Sequence, residues 1–337
     1  MHGFINLNKA AGWTSHDVVA KVRKISRVSK VGHAGTLDPQ ATGVLPICVG
    51  KATKLAEFWL HTDKQYHVVM KLGEATDTQD AEGQVLNRVE ASSVGLESVE
   101  KAFKAFVGRI QQVPPMYSAI KVRGQPLYKM ARKGEVVDRP AREVTIHSLV
   151  LLEMHEAEVT FDVVCSRGTY VRTLCADVGE HLGVGGHCLR LERRRCGPFR
   201  IGESITLEGF EAALAEGKHG RVIHDLGVVL GHLPELVIRT ERAEKVCHGV
   251  PIRYQDIECA VAEFKRGDLF RVAAPEIGLV ALARALRGRD DLQTKDAQDP
   301  LFKVEKVLVE ERRIMTRDLA LPVPGRGAGA KDVIRES

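Results

Sequence analysis

Two hydrophobic periods run through this chain in no regular alternation, which limits the folds open to it. From Tyr66 the period is two: Tyr66, Val68, Met70 and Leu72 share one face of a strand. Val159, Phe161, Val163 and Cys165 repeat the pattern, interleaved with Thr160, Asp162 and Val164. Gly3–Asn8 and Gly43–Val49 read as further apolar strands. Elsewhere the spacing is helical. Thr14-x-x-Asp17 reads as a capping box, after which Val18, Val22 and Ile25 fall on one face. Val99, Ala102, Phe103 and Phe106 form a second stripe that stops near Gly108, and Leu174, Val178 and Leu182 a third. Thr53–Leu60 predicts a short helix. Lacking a strand–helix repeat, the pattern predicts an α+β fold rather than a doubly wound parallel sheet.

The 337 residues are long enough for two domains. Gly231-His-Leu-Pro234 is a plausible joint, which divides the chain into 1–230 and 235–312. In the second part, Leu269–Ala273, a Pro-Glu-Ile-Gly turn and Leu279–Leu286 predict a hairpin in a small β-rich domain. From about Met315 the residues are Gly-, Ala- and Pro-rich with no apolar period, so 313–337 is expected to be a disordered tail. No apolar run approaches the roughly 20 residues that span a bilayer. The N-terminus lacks the layout of a signal peptide, and a cytoplasmic location is expected.

The seven cysteines include no Cys-x-x-Cys pair and predict no disulfide framework. Cys175, His181, His187, Cys188 and Cys196 have a spacing that fits no zinc module. Asp77–Gly83 lacks most ligands of a calcium loop and reads as a turn. No metal site is expected.

The segment Lys30–Gly43 concentrates the chemistry. Asp38 stands between Leu37 and Pro39, with glycines at 32, 35 and 43. Proline biases the residues before it toward extended backbone, and the glycines permit sharp turns. A stiff loop presenting one carboxylate and one imidazole, His33, is predicted, with no second acid beside it. Such an acid suits a reaction in which it touches the substrate itself. The net charge is only +5, but its placement is informative. Lys21, Arg23, Lys24, Arg27 and Lys30 lead into the loop. Lys121, Arg123, Lys129, Arg132, Lys133, Arg139 and Arg142 crowd a middle segment, and Arg190, Arg193, Arg194, Arg195 and Arg200 form a third cluster. Three basic runs flanking candidate site loops favour a polyanionic partner.

These motifs occur in a familiar order. They are Asn8-Lys9-x-x-Gly12-x-Thr14-Ser15, Gly32-His-x-Gly-Thr-Leu-Asp-Pro-x-Ala-Thr-Gly43, Asp63-Lys-x-Tyr66, Thr76-Asp-Thr-x-Asp-x-x-Gly83, Pro114-Pro-Met-Tyr-Ser-Ala119, Cys165-Ser-x-Gly-Thr-Tyr-x-Arg-Thr173, and Leu191 through Gly197-Pro-Phe199. To about residue 200 the chain resembles the bacterial TruB-type tRNA pseudouridine synthases. The resemblance implies a mixed, largely antiparallel central sheet with flanking helices, and a C-terminal part similar to PUA-type RNA-binding domains. It implies isomerisation of uridine 55 in the tRNA T-loop: the base flips out, the C1′–N1 bond breaks, and the base rejoins through C5, with no cofactor. It implies Asp38 as the catalytic acid group, attacking C1′ or removing the 2′ proton, with Arg172 paired to it. It implies Tyr66 on the uracil, His33 in the place the base vacates, Tyr170 supporting the pocket, and Leu191 near the base. Lys9, Gly35 and Thr36 join the substrate-binding set. Ala10 stands where the family usually has proline, which predicts a looser turn at Lys9. The expected partner is the tRNA T-arm, bound by a monomer that needs no membrane or protein partner. Three alternatives remain at this point: the guide-RNA-dependent relatives of archaea and eukaryotes, an RNA-binding module without chemistry, and a glycoside hydrolase using Asp77 or Asp80 as second carboxylate.

Overall fold

The structure, a computed structural model, describes residues 1–60, 62–259, 263–289 and 299–309. The tail expected over 313–337 lies outside the described residues. The chain forms two compact units, Met1–Val229 and a second beginning at Leu230. Among the described residues no helix is long and apolar enough to cross a membrane.

In order, the first unit runs β1 (Gly3–Lys9), α1 (Ser15–Ser26), β2 (Val31–His33), β3 (Thr42–Val49), α2 (Ala56–Leu60), β4 (Lys64–Leu72), β5 (Glu74–Thr76), β6 (Val85–Arg88), α3 (Leu96–Phe106) and β7 (Gly108–Gln112). It continues with β8 (Lys121–Val122), β9 (Gln125–Pro126), α4 (Leu127–Ala131), β10 (Arg142–His155), β11 (Glu158–Cys165), α5 (Val171–His181), β12 (Gly186–Cys196), β13 (Phe199–Arg200) and α6 (Leu207–Ala215), then α7 (His219–Val222) and α8 (Leu226–Val229). Its main sheet has the order β1-β3-β12-β4-β11-β10-β7, with β2 on β3 and β13 on β12. Every pairing is antiparallel except β3 with β12.

This is the α+β architecture that the two periods predict. Val68, Met70 and Leu72 of β4 are buried with Phe161 and Val163 of β11 in one apolar core, against which α1, α3 and α5 lay Val18, Val22, Val99, Phe103, Leu174 and Val178. The capping box of α1 is present in full: Asp17 N–H donates to the Thr14 hydroxyl, and Thr14 N–H to the Asp17 carboxylate. Thr14 thus satisfies one of the backbone donors that a helix start leaves free.

The single parallel step matters most for the site, because it seats β12 against the strand that leaves the Asp38 loop. Gly43, at φ 98°, lies opposite Arg193 there. A Cβ on Gly43 would stand 2.3 Å from the Arg193 carbonyl oxygen, closer than any van der Waals contact. Gly43→Ala is therefore expected to cost about 2–4 kcal/mol, combining a disfavoured φ with a backbone clash. Urea unfolding checks this, and a loss below about 0.5 kcal/mol, the range of neutral surface changes, would contradict it.

The second unit holds a five-stranded sheet, β14 (Glu235–Val237), β16 (Leu269–Ala274), β17 (Gly278–Ala285), β18 (Pro300–Val307) and β15 (Ile252–Arg253), in that spatial order, and among its described residues a short α-helix, α9 (Ala243–Cys247). The hairpin expected over 269–286 is β16–β17. Phe264, Phe270 and Phe302 pack ring to ring in its core at centroid distances of 5.1–5.6 Å.

Candidate active site

Asp38 lies on the loop between β2 and β3, and the chain fixes that loop from three sides. Ser15, at the start of α1, donates its hydroxyl to the Leu37 carbonyl (3.0 Å) and accepts from Leu37 N–H (2.9 Å). Lys9, at the end of β1, donates its ammonium to the carbonyls of Ala10, Trp13 and Pro39 at 2.7–2.9 Å. Arg193 donates from Nε to Val44 O (2.7 Å) and from its two terminal nitrogens to Thr36 O (3.3 Å) and Gly35 O (3.0 Å). Both cations are fully buried, and they grip the backbone on each side of Asp38.

Two expectations are corrected here, the looser turn at Lys9 and the place of Arg193 in a solvated basic cluster. Lys9, expected in the substrate-binding set, gives its three protons to protein carbonyls and clamps the loop. Its turn is not loose for want of proline at Ala10, because those same bonds close it. Arg193 leaves the third basic cluster for the interior, carried there by the β3–β12 pairing. Gly35 and Thr36 contribute carbonyls to this clamp, Gly35 from a buried position and Thr36 from an exposed one.

Arg172 stands in the first turn of α5. Gly179, further along that helix, allows it to pack closely on the approach to β12, where a Cβ would come within 2.3 Å of backbone at 185–186. The guanidinium is almost fully buried and engages four acceptors. Nε meets Asp38 Oδ2 at 2.8 Å, and one terminal nitrogen donates to Asp80 Oδ2 (3.0 Å) and Thr78 O (2.8 Å), while the other donates to Tyr117 O (2.9 Å). Charge-assisted bonds of this kind aim a carboxylate as well as hold it. Asp38 retains 41% of its side-chain surface against 6% for Arg172, so the acid is open to a ligand and its partner is not.

Asp80 corrects the expectation that no second acid stands beside Asp38. It comes from the 77–83 loop, read from sequence as a turn. That loop is self-bonded: Asp80 Oδ1 accepts from the Thr78 hydroxyl and from Glu82 N–H, and the Thr76 hydroxyl donates to Asp80 O. The signal available was the Thr76–Gly83 motif itself, whose acids the sequence offers only as a hydrolase's second carboxylate.

Desolvation by the surrounding protein raises the pKa of Asp38 above the ordinary carboxylate value; Arg172 opposes the rise, Asp80 adds to it, and Lys9 opposes it. Tyr66, buried on β4 with Arg193 as its register partner on β12, is pushed up to about 12 by burial. Burial likewise lowers Lys9 to about 8, with Asp38 opposing. Burial lowers His33 to about 4, and the nearby His16 and Arg193 act in the same direction. Its Nδ1 is enclosed and has no hydrogen-bond partner. Tyr170 caps α5, with its backbone held by the Gln112 side-chain amide in both directions (2.8 and 3.1 Å); burial raises its pKa too. Leu191, opposite Val68 on β12, packs partly buried against the core.

The His33 shift has a consequence for stability. Its folded pKa lies below the unfolded value of 6.5, so between about pH 6.5 and 4 the unfolded chain binds the extra proton. The contribution is fully present above pH 6.5 and is lost as pH falls toward 4. His33→Phe should flatten that part of the melting temperature profile; an unchanged acid slope would contradict the assignment.

The middle basic segment presents Lys121, Arg123, Lys129, Arg132 and Lys133 to solvent around β8, β9 and α4. The third cluster is largely engaged within the protein: Arg190 pairs with Glu158, and Arg194 with Glu192 and Asp162. Among the described residues no three His, Cys, Asp or Glu side chains converge as a metal site.

Residues 23–171 match the TruB family pseudouridylate synthase N-terminal domain, and residues 172–226 the tRNA pseudouridylate synthase B C-terminal domain. The chain is 46% identical over 286 residues to a tRNA pseudouridine synthase B of Geotalea uraniireducens, covering 85% of this chain and 92% of that one. It is 40% identical over 312 residues to the protein of that name from Clostridium perfringens, covering 92% of this chain and 100% of that one. Among solved structures it resembles one in a Cbf5-Nop10-Gar1 complex, with a TM-score of 0.72 and 31% identity over 93% of this chain and 86% of that one. With residues 23–226 matched in sequence and these relatives alike over most of their length, the chain belongs to the TruB family of pseudouridylate synthases.

Proposed function

We propose that the chain isomerises uridine 55 in the T-loop of tRNA to pseudouridine, with Asp38 acting at the sugar–base junction. The observation that carries this reading is the open Asp38 carboxylate held at 2.8 Å by a buried Arg172 that has no access to substrate. The reaction breaks C1′–N1 and forms C1′–C5; the C5 proton leaves and N1 gains one, so nothing is oxidised and no water is consumed. A uridine in a folded arm must leave its stack to reach Asp38, at a cost of a few kcal/mol. A neutral, flat His33 beside the loop suits the vacated space. Tyr66 with its pKa near 12 stays protonated at neutral pH, which favours ring contact or hydrogen-bond donation over action as a resident base at C5. Tyr170 and Leu191 wall the pocket. The exposed basic segment around α4 and a PUA-like second unit supply phosphate contacts. The chain works as a monomer in the cytoplasm, without a protein partner.

Asp80 does not act as the second carboxylate of a glycoside hydrolase, because Arg172, Thr78 and Glu82 engage both of its oxygens. Incubation of the purified chain with unmodified tRNA transcript and with a bare T-arm hairpin, followed by base-resolved mapping, tests the proposal. A single pseudouridine in the T-loop of both is expected. Product only in the presence of added proteins or a guide RNA would point to the guide-dependent mode instead. Because Asp38 acts ionised, kcat/KM should fall as pH drops through its raised pKa, giving an acid limb above the roughly 3.9 of an ordinary aspartate. An acid limb at or below that value would contradict the desolvated pocket.

A further inference from the structure

We propose that His16 is a further RNA-binding residue, whose imidazole donates an N–H to a phosphate flanking the extruded nucleotide. This deepens the reading above and rests on it. The Ser15 hydroxyl locks the start of α1 to Leu37, so the next residue, His16, has a fixed place beside the Asp38 loop. Its side chain is exposed, and its ring centroid lies 5.7 Å from that of His33 at an interplanar angle of 58°. A ring tilted so far does not extend a base stack through His33. On this reading it meets the rim of the gap instead, beside which the flanking RNA backbone would run.

The groups nearer Asp38 are poorly placed for that task. Lys9, Arg193 and Arg172 are buried, with their donors turned to protein carbonyls and carboxylates. Asp17, the carboxylate beside His16 in the first helical turn, interacts with His16 through its charge, but its hydrogen bonds go to the Thr14 backbone and hydroxyl. His16 thus presents a donor to solvent at the edge of the His33 ring. Extrusion rotates a nucleotide about its backbone, leaving its two phosphates at the rim of the opening. Phosphate oxygens accept from such a donor, and contacts of this kind position the RNA without reading its sequence.

The test compares wild type, His16→Phe and His16→Asn on T-arm hairpins carrying a single methylphosphonate at the phosphate 5′ or 3′ of the target uridine. His16→Phe keeps a ring and loses the donor, and should raise KM about tenfold with kcat nearly unchanged. His16→Asn keeps an N–H donor and should recover most of that loss. At one of the two positions the methylphosphonate should cost wild type a similar factor and cost His16→Phe nothing more. An unchanged KM in His16→Phe, a fall in kcat alone, or full additivity of variant and methylphosphonate would overturn the proposal. Failure of wild type to form pseudouridine at all would instead sink the functional reading beneath it.

Discussion

Arg172→Lys should lower kcat by at least about 100-fold on unmodified tRNA transcript while leaving KM within a few-fold, an effect that single-turnover rates would register directly. The guanidinium reaches Asp38, Asp80, Thr78 O and Tyr117 O at once because its donors spread over a planar fork. An ammonium is a single point with three protons and cannot span the same four acceptors. Asp38 would lose the bond that aims it, and Asp80 would lose its guanidinium partner. Arg172 is itself almost fully buried, and a lysine there leaves carbonyl and carboxylate acceptors unmatched, so the variant should also melt earlier. Asp80→Asn is the companion change. It keeps a side chain of the same shape on the self-bonded 76–82 loop but removes the charge. Its loss should be smaller than that of Arg172→Lys, and the double variant should be little worse than Arg172→Lys alone, since both act through one network. Additive losses would show that Asp80 matters for some other reason.

How far the sequence announced this site depends on distance along the chain. The period-two strands and the capping box of α1 arise from neighbouring residues and are readable without the fold; the Asp38 loop is announced by Pro39 and its glycines, although distant Ser15, Lys9 and Arg193 fix it. The partnership of Asp38 with Arg172 came through the family resemblance, not through spacing. Arg193 was misread for a physical reason. In a run with Arg194 and Arg195 it looks like part of a solvated stripe, and only the carbonyls of Gly35, Thr36 and Val44, about 150 residues earlier, make its burial tolerable. Lys9 enters the substrate-binding set through the resemblance, and its clamp is not readable from sequence, because the carbonyl of Pro39 reaches it only when β1 and β3 pair. Asp80 lies 92 residues from the guanidinium it binds, on a loop whose composition signals nothing more than a turn.

Asp38→Asn is expected to reduce the chemical step by on the order of 10⁴-fold or more, the scale of losing a group that bonds to or deprotonates the reacting centre. The amide cannot attack C1′ and cannot take the 2′ proton, so the prediction is the same for either role. Binding should survive, because the exposed basic residues and the loop clamps made by Ser15, Lys9 and Arg193 are untouched. The most direct measurement pairs single-turnover pseudouridine formation with the dissociation constant for the same unmodified tRNA. The account predicts no product from Asp38→Asn within many wild-type half-lives and a Kd within about tenfold of wild type, or 1.4 kcal/mol. Product formed at close to the wild-type rate would contradict it.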